Sequence, residues 1–155
     1  MYRREKEGTP DFVELRKRYD GLASGQRAEL RRVAEPADLS FTTVLYRLFP
    51  GERIDDRHRR IAFMLPWCDQ TKGQLADLGK QLVDRHIAEA RVLQVARASW
   101  PVDLIQLRRL AMYVEPMVDW DNFGPLLWFW GDRSKRSLVE GFYLALFKPT
   151  KGGKK

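Results

Sequence analysis

The sequence predicts an all-helical protein, and two observations support that fold class. From Pro10 onward, apolar residues recur every three or four positions, which is the period of an amphipathic helix. No segment shows the sustained apolar and polar alternation that is typical of a half-buried strand. The chain has 155 residues, of which 44% are hydrophobic, so it can close a core without disulfides or metal ions. We therefore expect a compact bundle of about eight helices.

Prolines, glycines and capping residues divide this pattern into separate helices. The predicted helices span residues 10–22, 25–34, 38–49, 55–65, 74–96, 101–114, 120–130 and 134–147. Pro10 and Pro101 suit first-turn positions, where a missing N–H costs no helical hydrogen bond. Pro36 and Pro116 disfavour a helical conformation of the glutamate before each of them, so each Glu-Pro pair ends a helix.

Three short polar side chains are predicted N-caps, namely Asp38, Asp55 and Ser134. We expect two small lobes, an N-terminal one over residues 1–98 and a C-terminal one over residues 99–148. Residues 149–155, which end in Gly-Gly-Lys-Lys, are expected to form a flexible basic tail.

Composition favours an intracellular partner of nucleic acid. Cys68 is the single cysteine and can form no internal disulfide, which fits a reducing compartment. No apolar run is long enough to span a membrane, and the first residues lead into no signal-peptide core, so we expect a cytoplasmic protein that does not bind membranes. The net charge of +7 and the pI near 9.8 concentrate polyanions around the chain, and nucleic acid is the commonest polyanion in that compartment.

The positive charge lies in four clusters. Residues 131–155 carry seven basic residues against two acids, which gives five of the seven net charges. A second cluster, Arg108-Arg109, lies on a helix whose apolar face is opposite Arg109, with Arg108 at the margin and Ile105 and Met112 beside Arg109. The third cluster is Arg27, Arg31 and Arg32, and the fourth is Arg53, Arg57, Arg59 and Arg60, which Glu52, Asp55 and Asp56 nearly balance. Each cluster is interpreted either as a phosphate-binding surface or as a solvated helix face.

Catalytic motifs are missing from the sequence. Asp55-Asp56-Arg57-His58 is a poor metal site, because its arginines repel a cation and helix capping explains its acids. No phosphate-binding glycine loop, nucleophile elbow or Cys-x-x-Cys pair occurs. We expect no enzyme activity, no cofactor and no small-molecule substrate. Of the aromatic residues, Trp120, Phe123, Leu127 and Trp130 share one helical stripe and are expected in the core, which leaves Trp128 for a surface role.

An ordered set of short segments gives the chain a resemblance to a known family. The segments are Arg31-Arg32-Val33-Ala34-Glu35-Pro36, Tyr46-Arg47-Leu48, Gln106-Leu107-Arg108-Arg109-Leu110, Glu115-Pro116-Met117-Val118-Asp119-Trp120 and Trp128-Phe129-Trp130-Gly131. Together they resemble the CasB family, the small subunits of the type I-E CRISPR surveillance complex called Cascade. The resemblance extends from about residue 10 to residue 147, and its specificity lies in the order of the segments.

The resemblance implies a non-catalytic subunit that holds nucleic-acid backbone. The implied partners are the guide RNA, the target DNA, other Cascade subunits and a second copy of the chain. Its implied role is to stabilise the guide–target duplex and the displaced DNA strand in antiviral defence. Carried onto this sequence, the implied phosphate contacts are Arg31, Arg32, Arg108, Arg109, Arg133, Lys135 and Arg136, with Arg57 and Arg60 as weaker additions.

Two other functions remain open at this point. The first is a purely structural subunit that docks to protein partners through Ile105, Met112 and Trp128, with arginines only at the rim. The second is a helix-turn-helix regulator, which the short loop before Gly25 would allow. Arg27, Arg31 and Arg32 come with no base-reading asparagine on their helix, so the regulator ranks last.

Overall fold

Short helices make up most of the chain, as the apolar period predicts. The computed structural model describes residues 8–149, whose α-helices are α1 (Phe12–Asp20), α2 (Ser24–Arg32), α3 (Thr43–Leu48), α4 (Asp56–Met64), α5 (Leu78–Asp84), α6 (Glu89–Arg97), α7 (Val102–Val114), α8 (Trp120–Trp128) and α9 (Asp132–Leu146). Three 3-10 helices cover Pro36–Phe41, Leu65–Trp67 and Gly73–Ala76. The all-α fold class is confirmed. The predicted basic tail, apart from Pro149, lies outside the described residues.

The helix boundaries follow side-chain capping and proline. Asp55 accepts the backbone N–H of Arg57 at 2.9 Å, so its predicted role as an N-cap is confirmed. Helix α7 ends at Val114, directly before Glu115-Pro116. Helix α2 ends at Arg32, three residues before Glu35-Pro36, and Pro36 begins a 3-10 helix.

The two other predicted N-caps are wrong. Asp38 lies inside the 3-10 helix Pro36–Phe41, where its carboxylate accepts the N–H of Glu35 at 3.2 Å. Ser134 lies in the first turn of α9, and its buried hydroxyl donates to the carbonyl of Leu126 at 2.9 Å. In both cases the helical turn begins two residues earlier than predicted, at Pro36 and at Asp132.

The long helix predicted over residues 74–96 is divided into a 3-10 turn, α5 and α6. The chain turns after α5 at His86, which has a left-handed backbone with φ of 59°. The N–H of Ile87 bonds to the carbonyl of Leu82 at 3.0 Å, and the Ile87 side chain enters the core. Burial of Ile87 therefore accompanies a turn that neither glycine nor proline marks in the sequence.

One continuous core joins the helices, with α4 near its centre. The second half of α4 is almost completely buried, and its residues are Ile61, Ala62, Phe63 and Met64. Helix α4 contacts α8, α7 and the 3-10 helix Pro36–Phe41. The buried faces of α1, α3, α7 and α8 belong to the same cluster. This arrangement fixes the relative positions of α2, α4 and α7, which carry most of the candidate site residues.

Helix α9 crosses α5 at a very close approach and also packs against α6. A β-carbon added at Gly79 of α5 would lie 2.2 Å from the carbonyl oxygen of Gly141 of α9. Only a residue without a side chain allows the two backbones to come this near. The division into lobes at residue 98 stays a prediction.

A short parallel pairing links the segments that follow α4 and α7. Strand β1 (Asp69–Gln70) pairs with β2 (Met117–Val118), with Asp69 opposite Met117. The side-chain oxygen of Gln70 accepts the backbone N–H of Trp120 at 2.8 Å. These contacts hold the start of α8 against the end of the 3-10 helix that follows α4.

Candidate nucleic-acid interface

Arg108 is a structural clamp between α7 and the chain that follows α2. Its guanidinium donates to the carbonyl of Val33 at 2.6 Å and, less closely, to that of Ala34 at 3.4 Å. The same group lies 4.1 Å from the ring centroid of Phe63, which is a close cation–π contact. Burial, and to a lesser extent the charge of Arg109, lowers the pKa of Arg108, although an arginine stays protonated in this environment. The guanidinium is thus already used inside the protein.

This clamp brings the end of α2 beside the middle of α7. Arg31 is exposed and donates to the hydroxyl of Tyr19 at 2.9 Å. Arg32 and Arg109 are exposed and make no hydrogen bond or ion pair with another described residue. We call Arg31, Arg32 and Arg109 the α2–α7 arginines. None of them is neutralised by a carboxylate among residues 8–149, so their charge faces solvent.

The apolar face predicted for α7 is confirmed. Its buried residues include Leu104, Leu107, Leu110, Ala111 and Val114, and Arg109 lies opposite them. Met112 on the outer side is 44% exposed, whereas Ile105 is partly buried against the core. Ile105 therefore offers a partner less surface than Met112 does.

The arginines of α4 have internal partners. Arg57 pairs with Asp55 at 2.8 Å and lies 4.8 Å from the ring centroid of Trp128. A hydrogen bond from Arg57 is the largest cause that holds the pKa of Asp55 well below its usual range. Arg59 pairs with Asp56 at 2.7 Å. Arg60 donates to two carbonyls at the end of α8, those of Leu127 and Trp128, at 2.6 and 2.7 Å.

At the start of α9, Lys135 is engaged inside the protein, whereas its two arginine neighbours are not. Lys135 forms an ion pair of 3.0 Å with Asp103, which is only 2% exposed, and donates to the carbonyl of Ala98 at 2.7 Å. The indole N–H of Trp130 also donates to Asp103, at 2.9 Å. Lys135 is therefore part of a buried network that joins α9 to the start of α7.

Arg133 and Arg136 differ from Lys135, because both are exposed and have no described partner. Arg136 borders an open groove of about 640 Å³ between α6 and α9. Asp132 and Glu140 line the same groove and reduce its positive charge. Arg133 and Arg136 are thus available for an anion, with two acids close to Arg136.

The expected surface role of Trp128 is wrong. Trp128 is 2% exposed and packs against the rings of His58 and Phe12, at centroid distances of 4.9 and 5.9 Å. It ends α8, and the next residue, Phe129, is 60% exposed instead. The predicted stripe is largely confirmed, since Trp120, Phe123 and Leu127 are buried and Trp130 is partly buried.

The side chains of His58 and Cys68 are enclosed in the core, whereas His86 is exposed. His58 is buried between the rings of Phe49 and Trp128 and has Glu52 and Asp55 within 3.2 Å of its ring nitrogens. Burial raises the pKa of the Cys68 thiol to about 12, which disfavours the reactive thiolate. Among residues 8–149, no group of His, Cys, Asp and Glu side chains is arranged to hold a metal ion. Within the same span, no helix has the length and apolarity needed to cross a bilayer.

Sequence reasoning missed a basic and aromatic arrangement around Tyr113. This side chain is 54% exposed, and the guanidinium carbons of Arg85 and Arg91 lie 5.2 and 6.0 Å from its ring centroid. Arg85 also donates to the carbonyls of Tyr113 and Val114, both at 3.1 Å. One local signal was present, since Arg109 and Tyr113 are four residues apart and share a helix face. Nothing in the sequence indicates that the two distant arginines meet there.

Comparison with known proteins identifies related chains. No protein-family model matches the sequence. The CRISPR system Cascade subunit CasB of Escherichia coli strain K12 is 32% identical, over 89% of this chain and 96% of that protein. A chain in the crystal structure of E. coli Cascade bound to a PAM-containing double-stranded DNA target is similar in fold, with a TM-score of 0.79 and 32% identity. That match covers 88% of this chain and 99% of the other.

Proposed function

Because the chain belongs to the CasB family of CRISPR Cascade subunits, we propose that it binds the phosphate backbone of nucleic acid within such a complex. The observation that carries the proposal is the set of exposed arginines without an internal carboxylate. Among the basic residues that the family resemblance implies, those that meet this description are Arg31, Arg32, Arg109, Arg133 and Arg136. The solved relative belongs to a complex bound to a double-stranded DNA target, which supports the same chemistry for this chain.

Arginine suits this task because its planar guanidinium can hold two phosphate oxygens at once. Binding through such contacts releases counterions, so affinity falls steeply with salt and does not depend on base sequence. Arg57, Arg60, Arg108 and Lys135 contribute to the fold in this proposal, since their charged groups are already engaged. The proposed contacts are therefore a subset of the basic residues that the family resemblance implies.

The proposed role is to stabilise the guide RNA–target DNA duplex and the displaced DNA strand, without catalysis. The exchange of a DNA duplex for an RNA–DNA duplex is nearly balanced in free energy, so contacts to the backbone can decide its direction. Other Cascade subunits and a second copy of the chain complete the proposed set of partners. Antiviral defence follows from the stable capture of the target.

The direct experiment uses a reconstituted Cascade complex that carries the double variant Arg32→Ala/Arg109→Ala. We expect faster dissociation of a bound DNA target than from the parent complex, with assembly and guide RNA content unchanged. Lys72→Ala is the surface control, because Lys72 is exposed and pairs with Asp121 at 3.4 Å. Target dissociation at the parent rate from the double variant would contradict the assignment of these arginines.

Exposed apolar side chains favour a second candidate function, that of docking to protein subunits. Phe41 is 89% exposed, Phe147 is 70% exposed and Leu144 is 69% exposed. These residues replace Ile105 and Trp128 in the structural hypothesis. Association with protein subunits that is insensitive to salt, together with no measurable binding of nucleic acid, would favour this role over the first.

A further inference from the structure

The outward face of α7 continues past Arg109 into an aromatic and apolar surface. Met112 and Tyr113 follow within one helical turn and are 44% and 54% exposed. Arg109 lies four residues before Tyr113, so the two side chains are neighbours on the helix. An exposed tyrosine next to an unpaired arginine provides both a flat ring and a positive charge.

Two further guanidinium groups approach this ring from other elements. Arg85, just after α5, lies 5.2 Å from the ring centroid and is held by the carbonyls of Tyr113 and Val114. Arg91 of α6 lies 6.0 Å from the same centroid and makes no hydrogen bond or ion pair with a described residue. Arg85 therefore fixes the position of the ring, whereas Arg91 is free to contact a ligand.

Carboxylates near this surface do not neutralise it. Asp84 pairs with Lys80 at 2.8 Å, and Glu89 accepts a hydrogen bond from the hydroxyl of Tyr143 at 2.5 Å. Glu115 is exposed at the end of α7 but forms no ion pair with a described residue. Arg85, Arg91 and Arg109 outnumber Glu89 and Glu115, the two nearby carboxylates without an ion pair, so a small excess of positive charge remains around an accessible ring.

We propose that Tyr113, Arg91 and Arg109 form a subsite for one unpaired nucleotide, whose base stacks on the tyrosine ring while its phosphate contacts the arginines. A base inside a duplex has both faces covered by its neighbours, so only a single strand or an extruded base can stack on a protein ring. An acidic peptide would satisfy the arginines but would leave the exposed ring without a planar partner. The inference rests on the proposed function and adds a preference for unpaired bases.

The test compares Tyr113→Leu with Tyr113→Phe in the full-length chain. Binding of a fluorescent 12-mer of single-stranded DNA and of the matching duplex is measured by anisotropy at fixed salt. Loss of one stacked base should weaken single-strand binding about tenfold or more in Tyr113→Leu. Duplex binding should change by less than about twofold, and Tyr113→Phe should behave as the parent, because it keeps the ring.

Tyr46→Leu is the matched control for loss of an exposed tyrosine. Tyr46 is 47% exposed, and no described guanidinium lies over its ring. This variant should bind both DNA forms as the parent does.

Arg91→Ala should weaken single-strand binding without removing the ring, which provides a second test if Tyr113→Leu fails to fold. A strand carrying 2-aminopurine adds an independent readout, since stacking quenches its fluorescence. The quenching expected with the parent should be lost in Tyr113→Leu.

Three results would overturn the subsite. The first is single-strand binding by Tyr113→Leu at the parent level while Arg32→Ala/Arg109→Ala binds weakly, which leaves the proposed function intact. The second is an equal loss for single strand and duplex in Tyr113→Leu. The third is that Tyr113→Leu causes loss of a protein subunit from the Cascade complex while its DNA binding is unchanged. Failure of the parent chain to bind either form, alone and in the complex, would instead contradict the proposed function itself.

Discussion

Helix α4 carries three arginines that all have partners inside the protein, whereas none of the three α2–α7 arginines is paired with a described carboxylate. In α4, Arg57 and Arg59 pair with the aspartates that begin the helix, and Arg60 donates to backbone carbonyls of α8. The α2–α7 arginines make no ion pair with a described carboxylate. The density of arginine in a sequence therefore says little about whether a surface binds nucleic acid. What matters is whether each guanidinium already has a partner.

The largest expected effect is on the stability of the protein, and it concerns Lys135 at the start of α9. Lys135→Ala leaves Asp103 buried without its counter-charge, so we expect the free energy of unfolding to fall by about 3–5 kcal/mol. Urea denaturation measures the change. Arg136→Ala, an exposed neighbour, should change stability by less than about 0.5 kcal/mol. Lower DNA affinity in Lys135→Ala with unchanged stability would show that Lys135 is a contact after all.

A second prediction separates two adjacent residues. Arg108→Ala removes hydrogen bonds to two carbonyls and the contact with Phe63, so it should cost about 2 kcal/mol of stability. Arg109→Ala should cost less than about 0.5 kcal/mol but should weaken DNA binding. Urea denaturation and anisotropy titrations on the same samples provide both values. Equal stability losses in the two variants would contradict the assignment of Arg108 as the clamp.

The smallest expected effect comes from removing the carboxylate partner of one α4 arginine, so that its charge resembles that of the α2–α7 arginines. Asp56→Asn removes the partner of Arg59, so we expect binding of duplex DNA to tighten by about twofold at low salt. Glu14→Gln is the control, because Glu14 also lies in the first turn of a helix and its side chain makes no ion pair with a described residue. Equal tightening in the two variants would mean that only net charge matters, and that pairing does not.

The fold and the candidate site differ in how far local sequence determines them. The apolar period of α7, the Asp55 cap and the Glu115-Pro116 boundary are local features, and each was predicted correctly. The turn at His86 coincides with burial of Ile87, and neither glycine nor proline marks it in the sequence.

The internal partners of the candidate site residues were harder to predict, because several of them lie far along the chain. Arg108 bonds to a carbonyl 75 residues away, and Arg60 bonds to one 67 residues away. Every residue has a backbone carbonyl, so the pattern of charged residues does not show which carbonyl an arginine will bind. The pairs within α4 were visible, since Asp55 and Asp56 lie next to the arginines they neutralise. Local sequence therefore indicated the acids that balance the α4 arginines, but it did not indicate the arginines held by distant backbone or the pair of Lys135 with Asp103.

The central claim is that unpaired arginines bind phosphate and paired ones do not, and the salt dependence of binding tests it most directly. Duplex DNA affinity is measured by anisotropy over a range of salt concentrations for the parent, Arg32→Ala/Arg109→Ala and Arg57→Ala/Arg59→Ala. The slope of log affinity against log salt should become shallower by about two for Arg32→Ala/Arg109→Ala and should stay near the parent value for Arg57→Ala/Arg59→Ala. Equal reductions in slope for both variants would contradict the account.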